Sequence, residues 1–219
     1  MVLEVRLIRH AESEANASPM NKFIGGRSNW AELTPRGISQ AKALGENLRM
    51  ENVFFKAVFC SPAIRTQQTA RYCFEAMGIS PNIQLESRII ELDQGDWVGK
   101  QREKVYSIPE VRFALDEDCW NFIPGDIIKG ESQRAVATRM KEWFNFITGE
   151  YSEGIVVAFT HGVAIKCLLA NIYHFDKNLA YSIPIDNVST TQLNCVNGEI
   201  DVVLVNDFPL EELPSKFFI

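Results

Sequence analysis

Two histidines, each placed directly after a short apolar run, are the residues of this sequence best suited to chemistry. Arg9 and His10 follow the run at residues 2–8, and His161 follows a second run at residues 155–160. Runs of this length and composition predict buried β-strands. Because open α/β sheets bind ligands beyond the carboxyl ends of their parallel strands, we expect both imidazoles over one sheet edge. The pair therefore indicates a reactive site rather than packing.

Two more polar side chains follow predicted strands in the same way. Arg65 lies just after a strand at residues 57–60, and Glu91 follows an alternating segment at residues 83–90. An arginine offers a planar fork of donors that matches phosphate oxygens. A carboxylic acid can protonate a leaving alkoxide and then take a proton from water. Together with a neutral imidazole as nucleophile, these groups predict phosphoryl transfer through a histidine.

Each group has one predicted role in this chemistry. We predict that His10 is the nucleophile, provided that its other ring nitrogen donates to a backbone carbonyl. Glu91 is the predicted proton donor and acceptor. Donors around the phosphoryl oxygens supply most of the rate enhancement in such reactions. Those donors are predicted to come from Arg9, Asn16, Arg65 and His161.

Short β-branched or aromatic runs alternate with longer amphipathic segments along the chain. This order predicts a three-layer α/β sandwich with a mostly parallel sheet. Thr34 and Pro35 predict the start of a helix, and Ser61 is predicted to cap the next one. Asn197-Gly198 predicts a tight hairpin. We therefore expect one antiparallel strand at the end of the sheet.

The chain is predicted to form a single domain over residues 1–219, with an irregular excursion at residues 98–130 that could cover a site opening. A loop at residues 16–33 is long enough to suggest a functional role. The excursion contains four large aromatic residues, which we interpret as a packed cap rather than a substrate wall. They are Tyr106, Phe113, Trp120 and Phe122.

Composition excludes several function classes. A formal net charge of −6 argues against nonspecific binding to nucleic acid or an anionic membrane. No leader and no long apolar span is recognisable, which predicts a cytoplasmic protein. The five cysteines and three histidines show no metal-binding spacing, so we propose no metal and no cofactor.

An apolar tail, residues 210–219, is expected to pack on the core or on a second copy of the chain, which leaves monomer and homodimer open.

The residues around this constellation resemble the histidine phosphatase superfamily, which includes cofactor-dependent phosphoglycerate mutases. The similar blocks, in family order, are Leu7 to Asn16, Leu33 to Gly37 with Gln40-Ala41, Ser61 to Ala70, Glu91-Leu92 with Gly95, Trp97 and Gly99, Gly130 to Ser132, and Thr160 to Gly162. The resemblance implies a phosphohistidine on His10 and a proton donor at Glu91. It implies a phosphate pocket made by Arg9, Asn16, Arg65, His161 and Gly162.

One position departs from the family pattern, because Ala11 stands where a glycine usually follows the Arg-His pair. We expect the site to accept this extra methyl group. The interval from Trp97 to Gly130 is short compared with that of the mutases, which favours a phosphatase that hydrolyses monoesters of a small phosphorylated metabolite or a phosphoprotein. Mutase-type phosphoryl transfer and a non-catalytic phosphate-binding or regulatory module are the alternatives.

Overall fold

The computed structural model describes residues 1–17, 19–173, 176–177 and 179–214, and it has the predicted α/β architecture. The strands are β1 (Leu3–Arg9), β2 (Phe55–Cys60), β3 (Ile83–Leu85), β4 (Gly154–Thr160), β5 (Thr190–Val196), β6 (Glu199–Val205) and β7 (Phe208–Pro209). The helices are α1 (Pro35–Met50), α2 (Ile64–Met77), α3 (Arg102–Tyr106), α4 (Pro109–Asp118), α5 (Gln133–Glu150) and α6 (Gly162–Ile172).

One seven-stranded sheet has the order β3-β2-β4-β1-β5-β6-β7. Strands β1 to β4 are parallel, while β5 pairs antiparallel with β1, β6 with β5 and β7 with β6. The predicted hairpin is confirmed, with Asn197 and Gly198 at φ 52° and 85° between β5 and β6. A second turn, Asn206-Asp207 at φ 56° and 66°, adds β7. The sheet therefore ends in more antiparallel pairing than the single strand that the sequence predicts.

Alternation along the central strands divides their side chains between two helical layers. Val5 and Val156 share the larger core cluster with residues of α5 and α6. Ile8 and Val157 share a second cluster with residues of α1 and α2. Because successive side chains of a strand point to opposite faces, this distribution makes the sheet the middle of three layers.

The start of α1 packs on the loop that follows β1. Thr34 caps the helix by accepting a hydrogen bond from the Gly37 backbone N–H at 3.0 Å, as predicted. A Cβ atom on Gly37 would lie 2.0 Å from the carbonyl oxygen of Glu12, so only glycine allows this close approach. The contact fixes the chain two residues after His10.

The predicted cap of α2 is wrong. The helix begins at Ile64, and its N-cap residue Ala63 makes no side-chain capping hydrogen bond. The Ser61 hydroxyl lies next to the Nε2 atom of His161 instead. The structure thus assigns this serine to the histidine pair rather than to the helix terminus.

The excursion at residues 98–130 carries the two short helices α3 and α4. Tyr106 and Phe122 pack on Trp97, with ring centroids 6.0 and 5.8 Å from it. Trp120 is buried in the main core, whereas Phe113 is 67% exposed. The interpretation as a packed cap therefore fits three of the four aromatic residues, and Phe113 lies on the outer surface.

The apolar segment at the end of the chain is described only in part. Leu213 is buried in the main core and Leu210 packs against it. The remainder of the predicted tail, residues 215–219, lies outside the described residues.

Within the described ranges, none of the helices has the length and hydropathy needed to cross a bilayer.

Candidate active site

The two histidines lie side by side because their strands pair in register. Arg9, the last residue of β1, lies opposite Thr160, the last residue of β4. The His10 backbone N–H donates to the Thr160 carbonyl at 2.9 Å. The ring centroids of His10 and His161 are 5.2 Å apart, with the planes at 63°. Both side chains are buried, so the sheet places the two imidazoles next to each other in one enclosed site.

The hydrogen bonds of His10 define its tautomer. Nδ1 lies 2.7 Å from the carbonyl oxygen of Ala11, which can only accept, so Nδ1 carries the proton. Nε2 accepts from the Nε–H of Arg65 at 3.2 Å. Burial holds the pKa of His10 well below its usual value of 6.5, and the charges of Arg65 and Arg9 lower it further. The ring is therefore neutral with its lone pair on Nε2.

His161 has the opposite tautomer. Its Nδ1 lies 3.0 Å from an Arg65 amino group, which can only donate, so the proton is on Nε2. Nε2–H donates to the Ser61 hydroxyl oxygen at 2.8 Å. Burial lowers the pKa of His161 well below its usual value, and the charge of Arg65 adds to this effect. This imidazole is also neutral.

Arg65 connects the two rings and is itself held by the predicted functional loop. Its guanidinium donates to the Ser28 carbonyl at 2.6 Å and to the Gly26 carbonyl at 3.4 Å. Burial lowers the pKa of Arg65 to about 10, partly opposed by the carboxylate of Glu91. The group remains charged at neutral pH, and the loop therefore orients a buried cation between two neutral imidazoles.

Arg9 brings a second buried cation to the same place. It donates to the Ile185 carbonyl at 2.6 Å, while its Nε–H is buried with no partner among the described residues. A Cβ atom on Gly162 would lie 3.4 Å from this Nε, an ordinary packing distance, so the guanidinium lies directly beside the start of α6. The role of Gly162 as a phosphate contact stays a prediction.

The carboxylate of Glu91 accepts two backbone N–H groups. Leu92 donates to one oxygen at 2.8 Å and Val163 to the other at 3.4 Å. The carbonyl of Glu91 accepts from Arg27 at 3.0 Å and from Arg139 at 3.1 Å. Two guanidinium groups therefore hold the backbone that carries this carboxylate.

Asn16 lies on the wall of the same cavity. Its side-chain oxygen accepts from the Ser13 backbone N–H at 2.7 Å and from the Ser13 hydroxyl at 3.1 Å. Its amide nitrogen makes a long contact of 3.4 Å with Asn187. The oxygen is therefore committed to the protein, and the amide nitrogen is the group left to contact a ligand.

Five of the predicted site residues line a cavity of about 160 Å³ at the sheet edge, which we call the anion cavity: Arg9, His10, Asn16, Arg65 and Glu91. The predicted contacts His161 and Gly162 are not among its lining residues. Its charged lining consists of three arginines and one glutamate, a formal charge of +2 in a chain of charge −6. The arginines are Arg9, Arg65 and Arg102, and the glutamate is Glu91. The loop at residues 16–33 supplies part of the wall, through Phe23 among others. The arrangement favours a small ligand with negative charge.

Sequence reasoning missed several residues of this neighbourhood. Ser61 resembles an ordinary helix cap, and its partner His161 lies 100 positions away. Arg102, Gln94 and Tyr181 also line the anion cavity, but they lie in segments without a clear periodic pattern. No signal in the sequence connects these three to the histidines.

No cluster of three or more His, Cys, Asp or Glu side chains suitable for a metal ion occurs in the described part of the chain. The site has instead a set of guanidinium donors. These can balance the charge of a phosphoryl group in the way that a cation does in other enzymes.

Comparisons with known proteins agree with this geometry. The sequence profile of the histidine phosphatase superfamily (branch 1) matches residues 5–208. The chain is 30% identical over 190 residues to phosphoserine phosphatase 1 of Hydrogenobacter thermophilus, covering 86% of this chain and 84% of the relative. It is 36% identical over 99 residues to a 2,3-bisphosphoglycerate-dependent phosphoglycerate mutase of Methylobacterium radiotolerans, covering 45% of each.

A solved structure extends the similarity to the fold. The structure of YhfR from Bacillus stearothermophilus matches with a TM-score of 0.80 and 25% identity, covering 94% of this chain and 98% of that one. Related proteins thus include phosphatases and mutases, and the match spans the sheet with both histidines. The chain belongs to the histidine phosphatase superfamily, branch 1.

Proposed function

We propose that this protein is a phosphatase that hydrolyses phosphate monoesters through a phosphohistidine on Nε2 of His10. The observation that carries the proposal is the hydrogen bond from Nδ1–H to the Ala11 carbonyl, 2.7 Å long, which leaves the Nε2 lone pair toward Arg65 in the anion cavity. A neutral, oriented imidazole next to fixed cations is what attack on phosphorus requires.

In the first step, a phosphate oxygen replaces Nε2 as acceptor of the Arg65 Nε–H and so frees the lone pair. Nε2 then forms a bond to phosphorus while the bond from phosphorus to the ester oxygen breaks. Arg9, whose buried Nε–H has no acceptor among the described residues, supplies a further donor to the phosphoryl oxygens. The carboxyl group of Glu91 is the proposed donor of the proton that the leaving oxygen receives.

In the second step, Glu91 takes a proton from water as the water oxygen attacks phosphorus. The N–P bond breaks, the electron pair returns to Nε2 of His10, and inorganic phosphate leaves. His161 donates no proton in this scheme, because its Nε2–H is held by Ser61. We propose that it fixes Arg65 through Nδ1, and that the predicted direct donation from His161 to the phosphoryl oxygens does not occur because both ring nitrogens are engaged.

The proposal includes a metal-independent reaction on a small phosphorylated metabolite, in a single domain whose cap, residues 98–130, borders the cavity. A cytoplasmic location is part of it, because Cys60, Cys73 and Cys167 are buried as thiols, which is typical of a reducing compartment.

The test is to trap the intermediate. Protein mixed with a ³²P-labelled monoester and quenched in alkali, where phosphohistidine survives, should carry label that maps to His10. The His10→Ala variant should carry none and should lose about 10³-fold or more in kcat/KM. Turnover measured with and without a chelator should be equal. Label on another residue, or near-normal activity of His10→Ala, contradicts the proposal.

A mutase is the second candidate, favoured by the 36% identity to the phosphoglycerate mutase over 99 residues. A mutase would return the phosphoryl group from His10 to a second hydroxyl of the bound product. Product analysis separates the two, because a phosphatase releases inorganic phosphate in equal amount to the alcohol. A mutase yields an isomeric ester and needs priming by a bisphosphorylated compound.

A further inference from the structure

A second and larger cavity lies next to the anion cavity, under the cap. Its volume is about 510 Å³, within the range of small-molecule sites. We call it the cap chamber. Four residues line both cavities, so the two spaces are adjacent. They are Leu92, Gln94, Arg102 and Tyr181.

The walls of the cap chamber are largely hydrocarbon. Leu115 of α4, Phe122 and Pro124 contribute side chains that can accept no hydrogen bond. Tyr106 contributes its ring, while its hydroxyl donates to Gln94 at 3.3 Å.

The charged groups of the chamber have partners in the protein or lie at its edge. Glu131 is held by Arg27 at 2.7 Å and by Arg139 at 3.1 Å. Glu103 is exposed. The Arg102 guanidinium lies over the Tyr106 ring, 5.9 Å from its centroid, where the two cavities join. A ligand in the chamber therefore meets mainly apolar surface.

Resting on the proposed phosphatase function, we propose that the cap chamber binds the alcohol part of the substrate and that this part is apolar, an alkyl or aryl group of about six carbons. The phosphate would occupy the anion cavity, with the ester oxygen near Arg102 at the junction. Polar alcohols such as serine or a sugar acid would place hydroxyl, amine or carboxylate groups against Leu115 and Phe122. Burying such groups against these side chains without partners costs binding energy. The side-chain oxygen of Gln133, which also lines the chamber and has no partner among the described residues, could accept one hydrogen bond but cannot pair several polar groups.

Binding of alkylphosphonates tests the chamber without requiring turnover, because their C–P bond is not hydrolysed. Calorimetry with ethyl-, butyl- and hexylphosphonate should give affinities that rise about fourfold per methylene, about 250-fold from ethyl to hexyl. The kcat/KM values of the matching alkyl phosphates should rise in parallel, since their leaving alcohols differ little in acidity.

Three variants of α4 provide the matched comparison. Leu115→Gln places a polar group in the chamber and should reduce the hexyl-to-ethyl ratio below about 10 while the ethylphosphonate affinity changes less than twofold. Phe113→Gln, on the exposed surface of the same helix, should keep the native ratio. Leu115→Trp fills the chamber with an apolar group and should lower the ratio as well. Because this variant keeps an apolar side chain at position 115, a lower ratio in it reflects the loss of space in the chamber rather than unfolding of the protein.

The outcomes distinguish this inference from the phosphatase proposal. Equal affinities for ethyl- and hexylphosphonate in the native protein overturn the chamber as an alcohol site, even if His10 is labelled and phosphate is released. A steep chain-length dependence without label on His10 supports the chamber and contradicts the phosphohistidine. Tighter binding of phosphoserine than of hexylphosphonate also overturns the inference.

Discussion

Nε2 of His161 donates to the hydroxyl oxygen of Ser61 over 2.8 Å, in a contact that is fully buried. The tautomer follows from Arg65, which donates to the other ring nitrogen at 3.0 Å. The ring is thus held at both nitrogens. Its orientation depends on one serine that follows β2 directly.

Removing that hydroxyl should disturb the site. Ser61→Ala leaves the Nε2–H of His161 buried without an acceptor, which should lower the free energy of unfolding by about 1–3 kcal/mol. The released ring should also lower kcat/KM by about 10- to 100-fold, because Arg65 loses a fixed partner. Urea unfolding and steady-state kinetics measure the two effects. Ser39→Ala, which removes an exposed hydroxyl of α1, is the control and should change neither.

Replacing Arg65 by lysine should abolish most activity although the charge is kept. A lysine ammonium cannot donate at once to His10, His161 and the Ser28 carbonyl, as the guanidinium does. Losing preorganised donors of this kind costs about 10²–10³-fold in kcat. Arg71→Lys, on the exposed side of the same helix, should leave kcat/KM within twofold. Equal behaviour of both variants would remove the special role of Arg65.

The role of Glu91 as an acid can be tested by comparing substrates with different leaving groups. Glu91→Gln keeps the side-chain oxygen that accepts from the Leu92 N–H but cannot deliver a proton as a carboxylic acid does. Alkyl phosphates, whose alkoxides need that proton, should be cleaved about 10²–10⁴-fold more slowly. Nitrophenyl phosphate should lose less than about tenfold, because nitrophenolate leaves without protonation. Equal slowing of both substrates in single-turnover kinetics argues against acid catalysis by Glu91.

Acid should destabilise the fold through the two buried imidazoles. The pKa values of His10 and His161 lie well below 6.5 in the folded protein. Between those values and 6.5, the unfolded chain binds protons that the folded protein does not. The contribution to stability is thus complete above pH 6.5 and falls as the pH drops below it, by up to about 2.7 kcal/mol per pH unit for two groups.

Urea unfolding at pH 7.5, 6.5 and 5.5 measures this slope. In the His10→Asn variant one of the two imidazoles is absent, so about half of the slope between pH 6.5 and 5.5 should disappear. If the stability of His10→Asn depends on pH as steeply as that of the native protein, then His10 takes up a proton in the folded protein. Such a result would contradict the neutral nucleophile.

The sequence predicts the histidine pair for a clear physical reason. His10 and His161 each follow a buried run, and the carboxyl ends of parallel strands meet at one edge, so their proximity follows from pattern and topology. The same reasoning placed Arg65 and Glu91 beside them. For Glu91 the strand prediction is only partly correct, because β3 ends at Leu85 and a short 3-10 helix, Ser87–Ile89, lies between it and Glu91. The position of Glu91 therefore depends on this connection as well as on the strand.

Ser61, Arg102 and β7 show where that reasoning ends. A Ser-Pro pair before a helix predicts a local cap, and its true partner is distant in sequence. Arg102 lies at the start of a five-residue helix, α3, whose position depends on packing around Trp97 rather than on periodicity. The strand β7 has two residues, too few for any alternation to be visible. All three depend on tertiary contacts.

The register that sets Arg9 opposite Thr160 has a consequence for redesign. The distance between the two imidazoles is a property of the backbone ladder in the middle of the sheet, whereas the apolar wall of the cap chamber formed by Leu115, Phe122 and Pro124 comes from a separate stretch of chain, residues 98–130. Grafting a foreign segment in place of that stretch should change which alcohols are accepted and leave the reacting nitrogen where it is. In the proposed scheme, reaction and substrate selectivity therefore depend on different segments of the chain, with Arg102 as the residue of the exchanged stretch that also lines the anion cavity.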